Sequence, residues 1–227
     1  ALAPIFAAAA FAAENTTATT SVLEEVVVSA QKREQNIQDV GIAMQAFNGD
    51  QLKALGVTSS VDVAAFTPGV HISGALAGQN NQFTIRGVTQ NDFNDIVEAP
   101  NAVYLDEGYI PIANAQTFGL FDIERVEVLK GPQGTLYGRN TTAGLIDFVT
   151  GKPTEDFRAQ GTVEVGNNRT VNVEGMVSGP IAERVQGRFA FRKENSWDGW
   201  QKSNTRNETL GRVNKLGLRG SLAFQPT

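Results

Sequence analysis

The 227 residues carry a net charge of −5, 23 Gly and no Cys. An acidic balance excludes a general nucleic-acid binder, whose footprint is a basic patch, and the missing cysteines exclude a disulfide framework and any thiolate metal site. The length suits one large domain or two small ones.

The chain opens on "ALAPIFAAAAFAAENTT". About a dozen small or apolar residues are too few for a membrane-spanning helix, which needs roughly 20. Ala10-Phe11-Ala12 followed by polar sequence reads as the end of a secretory signal, residues 1–12, cleaved after Ala12 or Ala13. A buried Ala-rich helix is the alternative. The initiating Met and basic region of such a signal are missing, so the chain is expected to begin mid-signal. Residues 13–35 read as a disordered, Thr-rich leader that ends in "LEEVVVSAQKREQ". Within it, Glu25, Val26, Val27, Val28, Ser29 and Ala30 form a short β-prone run. Two readings stand at this point: an ordinary strand, or an extended peptide that pairs with the sheet edge of a partner.

Residues 36–152 read as a compact domain of mixed helices and strands. The pattern predicts a strand over Ile42 to Phe47, then a short helix capped by Asn48 and ended by Gly56. A second helix, "VDVAAF", starts from Ser59 or Ser60 and stops at Pro68-Gly69. Val70 to Ile72, Phe83 to Ile85, Ala102 to Leu105, Ile123 to Leu129 and Leu145 to Thr150 are strand-like.

From Phe157 onward four segments of about ten residues alternate strictly between apolar and polar positions. Phe157, Ala159, Val163 and Val165 oppose Arg158, Gln160, Thr162 and Glu164, and the pattern recurs around Val171 to Val177, Val185 to Phe191 and Leu216 to Phe224. A soluble sandwich and a membrane barrel both give this pattern. A tight turn over Gly179 to Ala182, a long polar loop over Asn195 to Asn214, and Trp197 and Trp200 at the end of the third strand favour the barrel, whose turns are short on one side and whose interfaces carry aromatic girdles. Residues 157–227 hold roughly four strands, whereas such barrels need at least about eight. A fragment, truncated at both ends, is therefore expected.

The glycines of "VEVLKGPQGTLYGRN" raise the question of a phosphate loop. A Walker loop needs G-x-x-x-x-G-K-[ST], and Gly131, Gly134 and Gly138 are followed by Arg139-Asn140 instead. Dinucleotide spacing is absent as well. The glycines suit a tight reversal, with Tyr137 as an amphipathic anchor. No Ser/His/Asp set, carboxylate pair or metal cluster emerges, and His71 is the single histidine. An enzyme is not expected, nor a cofactor or a protein-held metal.

At these residues a resemblance appears. "IERVEVLKGPQGTLYGRNTTAGLIDFVTGKP" resembles the end of the plug domain in TonB-dependent outer-membrane receptors. "FTIRGV" at Phe83 to Val88, "VYLDEGYI" at Val103 to Ile110 and "VSAQKREQ" at Val28 to Gln35 extend it. It covers Glu24 to Pro153, and the later strands fit the start of the barrel. The departures are Ala143-Gly144 where two glycines are frequent, Asp147 where Asn is common, and Gly151 where Lys is common.

The resemblance implies an α+β plug domain followed by the first antiparallel strands of a transmembrane β-barrel, of about 22 strands in the whole family. It implies that Glu25 to Ala30 is the TonB box, which pairs with TonB, itself powered through ExbB and ExbD. It implies that basic plug residues, here Arg86, Arg125 and Lys130, pair with acidic groups on the barrel wall. Gly131, Pro132, Gly134, Tyr137, Gly138, Arg139 and Asn140 form the plug-motif turn. Asn91, Asp92, Phe93, Asn94 and Asp95 lie in a loop that could meet ligand. Outer-membrane lipid surrounds the barrel, and a ferric siderophore is the default cargo. An importer of a carbohydrate or vitamin, or a secreted binding module, are the alternatives. The stretch from Ala13 to Leu23 has no room for a further folded domain, which points to a simple transporter.

Overall fold

A computed structural model describes residues 27–29, 32–33, 35–75, 80–90, 92, 94 and 97–225. The expected signal end, and Glu25, Val26, Ala30, Asn91, Phe93 and Asp95, lie outside the described residues.

The leader enters as β1 (Val27–Val28), paired antiparallel with β2 (Gln35–Asn36). β3 (Met44–Asn48) follows and runs into helix α1 (Gly49–Ala54). The Asn48 side chain accepts from the Gln51 N–H at 2.8 Å while Gln51 accepts from the Asn48 N–H at 3.0 Å. This reciprocal box satisfies two of the helix's orphan donors, and Gly56 at φ +69° ends the turn as expected. The second predicted helix forms as a 3-10 run, Ser60–Phe66. Its entrance is gathered by Asp62, whose carboxylate accepts from the backbone N–H groups of Thr58 and Ser59 at 3.0 and 2.8 Å.

A hairpin of β4 (Val70–Ala75) and β5 (Asn80–Ile85) precedes β6 (Asn101–Leu105) and β7 (Gly108–Tyr109). β8 (Ile123–Lys130), the one-turn helix α2 (Gly134–Tyr137) and β9 (Gly144–Thr150) complete the domain. The central sheet has the order β3-β8-β9-β6-β7, with β6 parallel to β9 and every other pair antiparallel. Its period-two alternation builds two apolar layers. On one face Val126, Val128, Ile146, Phe148 and Val103 pack with Phe83, Ile85, Leu52 and Val63. On the other, Leu129, Leu145, Ala102 and Tyr104 pack with Val28 of the leader.

The second region is a four-stranded antiparallel sheet: β10 (Arg158–Gly166), β11 (Thr170–Ala182), β12 (Val185–Ser196) and, after a small hairpin of β13 (Gln201–Lys202) and β14 (Thr209–Leu210), β15 (Asn214–Phe224). Two expectations are corrected. Gly179 to Ala182 is not the turn, because β11 runs through to Ala182 with a bulge near Pro180 and reverses at Glu183-Arg184. The segment from Asn195 to Asn214 is not all loop, because β12 extends to Ser196 and a hairpin stands within it.

The choice between sandwich and barrel is decided by which face meets the rest of the molecule. Val165, Leu222 and Phe224 are 80, 74 and 70% exposed, and Val163, Phe189, Leu216 and Leu218 share their side. The opposite, polar face carries Arg188, which pairs with Asp122 of the first region, and Arg192, buried among Glu164, Glu174 and Glu194 of the sheet itself. A soluble sandwich buries its apolar face. An apolar face turned outward and a polar face turned inward is the arrangement of a lipid-facing barrel wall.

Candidate functional site

The face of the plug sheet that the leader covers is built around one row of side chains. Register places Ala46 of β3, Glu127 of β8, Asp147 of β9, Tyr104 of β6 and Tyr109 of β7 side by side across all five strands. Val28, fully buried, plugs the apolar part of this face beside Leu129 and Leu145. The next residue, Ser29, meets the polar part. Glu127 Oε1 accepts from the Ser29 backbone N–H at 2.8 Å and from its hydroxyl at 3.1 Å. Arg125 Nη2 donates to Ser29 Oγ at 3.1 Å, and the Tyr137 hydroxyl donates to the Ser29 carbonyl at 3.4 Å. Of the expected partner-binding run, Val27, Val28 and Ser29 are thus docked in extended form, and Val27 is 47% exposed.

The electrostatics of this face are those of charges withdrawn from water. Arg125 Nε donates to Glu127 Oε1 at 2.7 Å and its Nη1 pairs with Glu124. Burial alone would lower the guanidinium, but the hydrogen bond and charge of Glu127, with Glu124, outweigh it and hold Arg125 above its ordinary value. Burial, then the neighbouring Glu127, push the Asp147 carboxyl up to about 7, against the pull of Arg125. Burial likewise raises the Tyr137 and Tyr104 phenols. Among the described residues, Glu127 Oε2 and Asp147 Oδ1 are buried with no hydrogen-bond partner. No signal short of register singled out Glu127, an ordinary polar letter in its strand, and Asp147 stood out only as a departure from the family pattern, with nothing to show that it faces Glu127.

The glycine-rich stretch is a reversal that carries Tyr137 to the leader. Gly131, at φ +115°, donates to the Ala143 carbonyl at 2.7 Å, and Gln133 donates to Thr141 at 3.0 Å, which zips the stretch into a loop. Gly138, at φ +79°, closes α2 with a bond to Gly134. The turn is a single helical turn rather than a bare reversal, and it sets the Tyr137 ring edge-on to Tyr104, with centroids 5.6 Å apart. Tyr104 also donates to the Tyr137 carbonyl at 2.7 Å. Asn140 donates to the Tyr109 hydroxyl at 2.7 Å and bonds Glu98, which Arg139 pairs at 2.9 Å.

The basic residues expected to hold the plug divide. Arg125 faces the leader and pairs within the plug. Lys130 donates to the Pro68 carbonyl at 2.8 Å, its pKa lowered by burial and by nearby Arg86. Arg86 stands at φ +51°, with its backbone N–H on Gly69. Neither Arg86 nor Lys130 meets an acid of the four wall strands among the described ion pairs. Asp92 and Asn94, from the expected ligand loop, are exposed, and the Asn94 N–H bonds Asp92 at 3.0 Å.

The contact between plug and wall has the opposite polarity and escaped the sequence reading. Asp122, just before β8, is gripped by Arg188 of β12, with Nε 2.8 Å from Oδ2, and by Arg219 of β15 at 3.3 Å. Arg219 also donates to the carbonyls of Phe121 and Asp122 at 2.7 Å and lies 4.6 Å over the Phe121 ring. The Asp122 N–H donates to Glu174 of the wall at 3.1 Å. Gly151 leaves the room: a Cβ there would lie 2.4 Å from the Arg188 guanidinium.

Residues 36–145 match the family model of the TonB-dependent Receptor Plug Domain. Residues 36–145 are thus a plug domain of the TonB-dependent receptor type. The vitamin B12 transporter BtuB of Photobacterium profundum is 25% identical over 175 residues, 77% of this chain and 28% of that protein. The pesticin receptor of Yersinia pestis is 28% identical over 163 residues, 70% of this chain and 23% of that protein. Among solved structures, the ferric yersiniabactin uptake receptor FyuA of Yersinia pestis superposes with a TM-score of 0.70 at 26% identity, over 82% of this chain and 29% of that one. The chain therefore spans about a quarter of the length of the relatives it matches. Its setting is the outer membrane, and the second region corresponds to wall strands of the receptor barrel.

Proposed function

We propose that this chain supplies the leader, plug and first wall strands of a receptor that takes up a scarce, bulky ligand across the outer membrane. The leader (13–35) carries the TonB box, residues 36–152 make the plug, and residues 157–227 begin the barrel. TonB, driven through ExbB and ExbD, draws on Glu25 to Ala30 and remodels the plug. The observation that carries this reading is the docked leader strand. An extended peptide, held by one buried Val and a few polar bonds at Ser29, is a handle that a partner's sheet edge can capture by strand addition.

The cargo that fits best is a ferric siderophore, as in the relative named for ferric yersiniabactin uptake. The relatives named for vitamin B12 keep a cobalamin-sized ligand as the second reading. Arg86 and Lys130, close together on the plug, await acidic partners on the remaining wall, and the loop of Asn91 to Asp95 is the surface that meets cargo from below. The receptor works by moving a ligand, with no bond of its own to break.

Val27→Pro tests the reading, because proline deletes a strand donor and fixes φ. Energised uptake of a labelled ferric siderophore should be lost, while binding to the cell surface at 0 °C stays at the parent level. Uptake at the parent rate would refute transport through this peptide.

A further inference from the structure

We propose that Glu127 and Asp147 together form a proton-binding site that sets how firmly the leader strand is held: one proton between the two carboxyls keeps Ser29 docked, and its loss to solvent loosens the leader. The inference rests on the reading that the leader is the segment TonB draws.

The geometry comes first. The two residues face each other directly across β8 and β9, on the same side of the sheet. Side chains so placed have Cβ atoms roughly 5 Å apart, and like charges there repel. Each has one buried oxygen with no hydrogen-bond partner among the described residues. A proton supplies the missing donor and removes one charge, whereas two buried carboxylates side by side do neither. Arg125 is the near cation, but it is already committed to Glu127, Glu124 and Ser29.

The other groups around the pair do not replace that proton. From the β6–β7 turn come Asp106, whose two oxygens hold Thr150 at 2.8 Å, and Glu107, which pairs with Lys32 at 3.6 Å. The phenols of this side are engaged elsewhere: Tyr104 donates to the Tyr137 carbonyl, Tyr137 donates to the Ser29 carbonyl, and Tyr109 accepts from Asn140. β3 offers Ala46, which has nothing to donate. Ser29, Lys32 and Arg33 of the leader, with Lys152, rim a cavity of about 450 Å³ into which Asp147 faces.

The leader is part of that cavity's lining, so its departure would let water reach both carboxyls. Docking therefore desolvates Asp147 beside the Glu127 carboxylate and raises its proton affinity, and by linkage proton binding strengthens docking. The sign follows. With the leader docked, burial and then Glu127 raise the Asp147 carboxyl from its ordinary value of 3.8 to about 7, and water reaching it on undocking moves it back toward the lower value. Docking is firmest below the lower value, weakens as pH rises through the interval, and reaches its weakest level above the upper one. Each pKa unit that the leader itself contributes changes the docking equilibrium by about tenfold.

The experiment uses the full-length receptor in lipid nanodiscs, without TonB, bearing a nitroxide on Val27→Cys. The mobile fraction of its electron paramagnetic resonance spectrum is followed from pH 5 to 9. The expected result is a rise with a midpoint near 7 in the parent, a flat and immobile profile in Asp147→Asn, and a midpoint displaced to lower pH in Glu127→Gln, which removes the neighbouring charge. A flat parent profile, or an unchanged rise in Asp147→Asn, overturns the proposal. An unmoved midpoint in Glu127→Gln overturns the pairing even where Asp147→Asn fails to fold. Because TonB is absent, failure here leaves the Val27→Pro uptake result standing, and the reverse holds as well.

Discussion

Two charged contacts lie at the same end of one strand and behave as opposites. At the entrance to β8, Asp122 is fastened to the wall by two arginines from different strands, a third bond from its own N–H, and a ring beneath Arg219. Three to five residues on, Arg125 and Glu127 hold the leader through a single serine. The first contact is redundant and closes over side chains from three elements, so no single bond releases it. The second converges on one small residue of a peptide whose exposed neighbour, Val27, is open to capture. A pull on the leader should part the weak contact before the strong one, leaving β8 fixed to the wall.

That contrast can be broken at the strong end with the largest effect. Asp122→Ala leaves Arg188 and Arg219, largely shielded from water, without their shared anion, and the roughly 3–5 kcal/mol cost of breaking a fully buried pair is the upper bound for this change. The urea concentration at which the plug becomes open to protease should fall steeply in the full-length receptor, and an unchanged midpoint would mean the clamp is not what seats the plug. At the weak end, Ser29→Ala removes the hydroxyl bonds to Glu127 and Arg125 but keeps the backbone bond. The expected loss is about 1 kcal/mol of leader docking, read as roughly fivefold faster labelling of a cysteine at position 27. The clamp's urea midpoint should not move. Tyr137→Phe deletes only the long bond to the Ser29 carbonyl and should change that labelling by less than about twofold. A larger effect would promote Tyr137 from packing to a principal holder of the leader.

Local patterns carried much of this in the linear sequence. The Asn48 box and the Gly56 stop are short-range chemistry, and both stand where the residues place them. The plug strands were likewise legible from alternation. The second helix came out as a 3-10 run, a choice between two helical turns that propensity does not make. The tight turn drawn at Gly179 failed for a related reason. Gly and Pro mark a turn in isolation, but here β12 pairs with both, and the pairing continues past a bulge between Pro180 and Ala182.

What the sequence by itself determined is the set of elements, the apolar stripe along the later strands and the glycine reversal before β9, because each depends on residues within a few positions of one another; which way that stripe faces came from the packed structure. Tertiary structure alone decided which charges meet. Ser29 and Glu127 are 98 residues apart, Asp122 and Arg219 are 97, and Glu127 faces Asp147 only through strand register. No local rule relates such positions: an alternating strand specifies which side a carboxylate takes, and only the packed sheet specifies what lies opposite it.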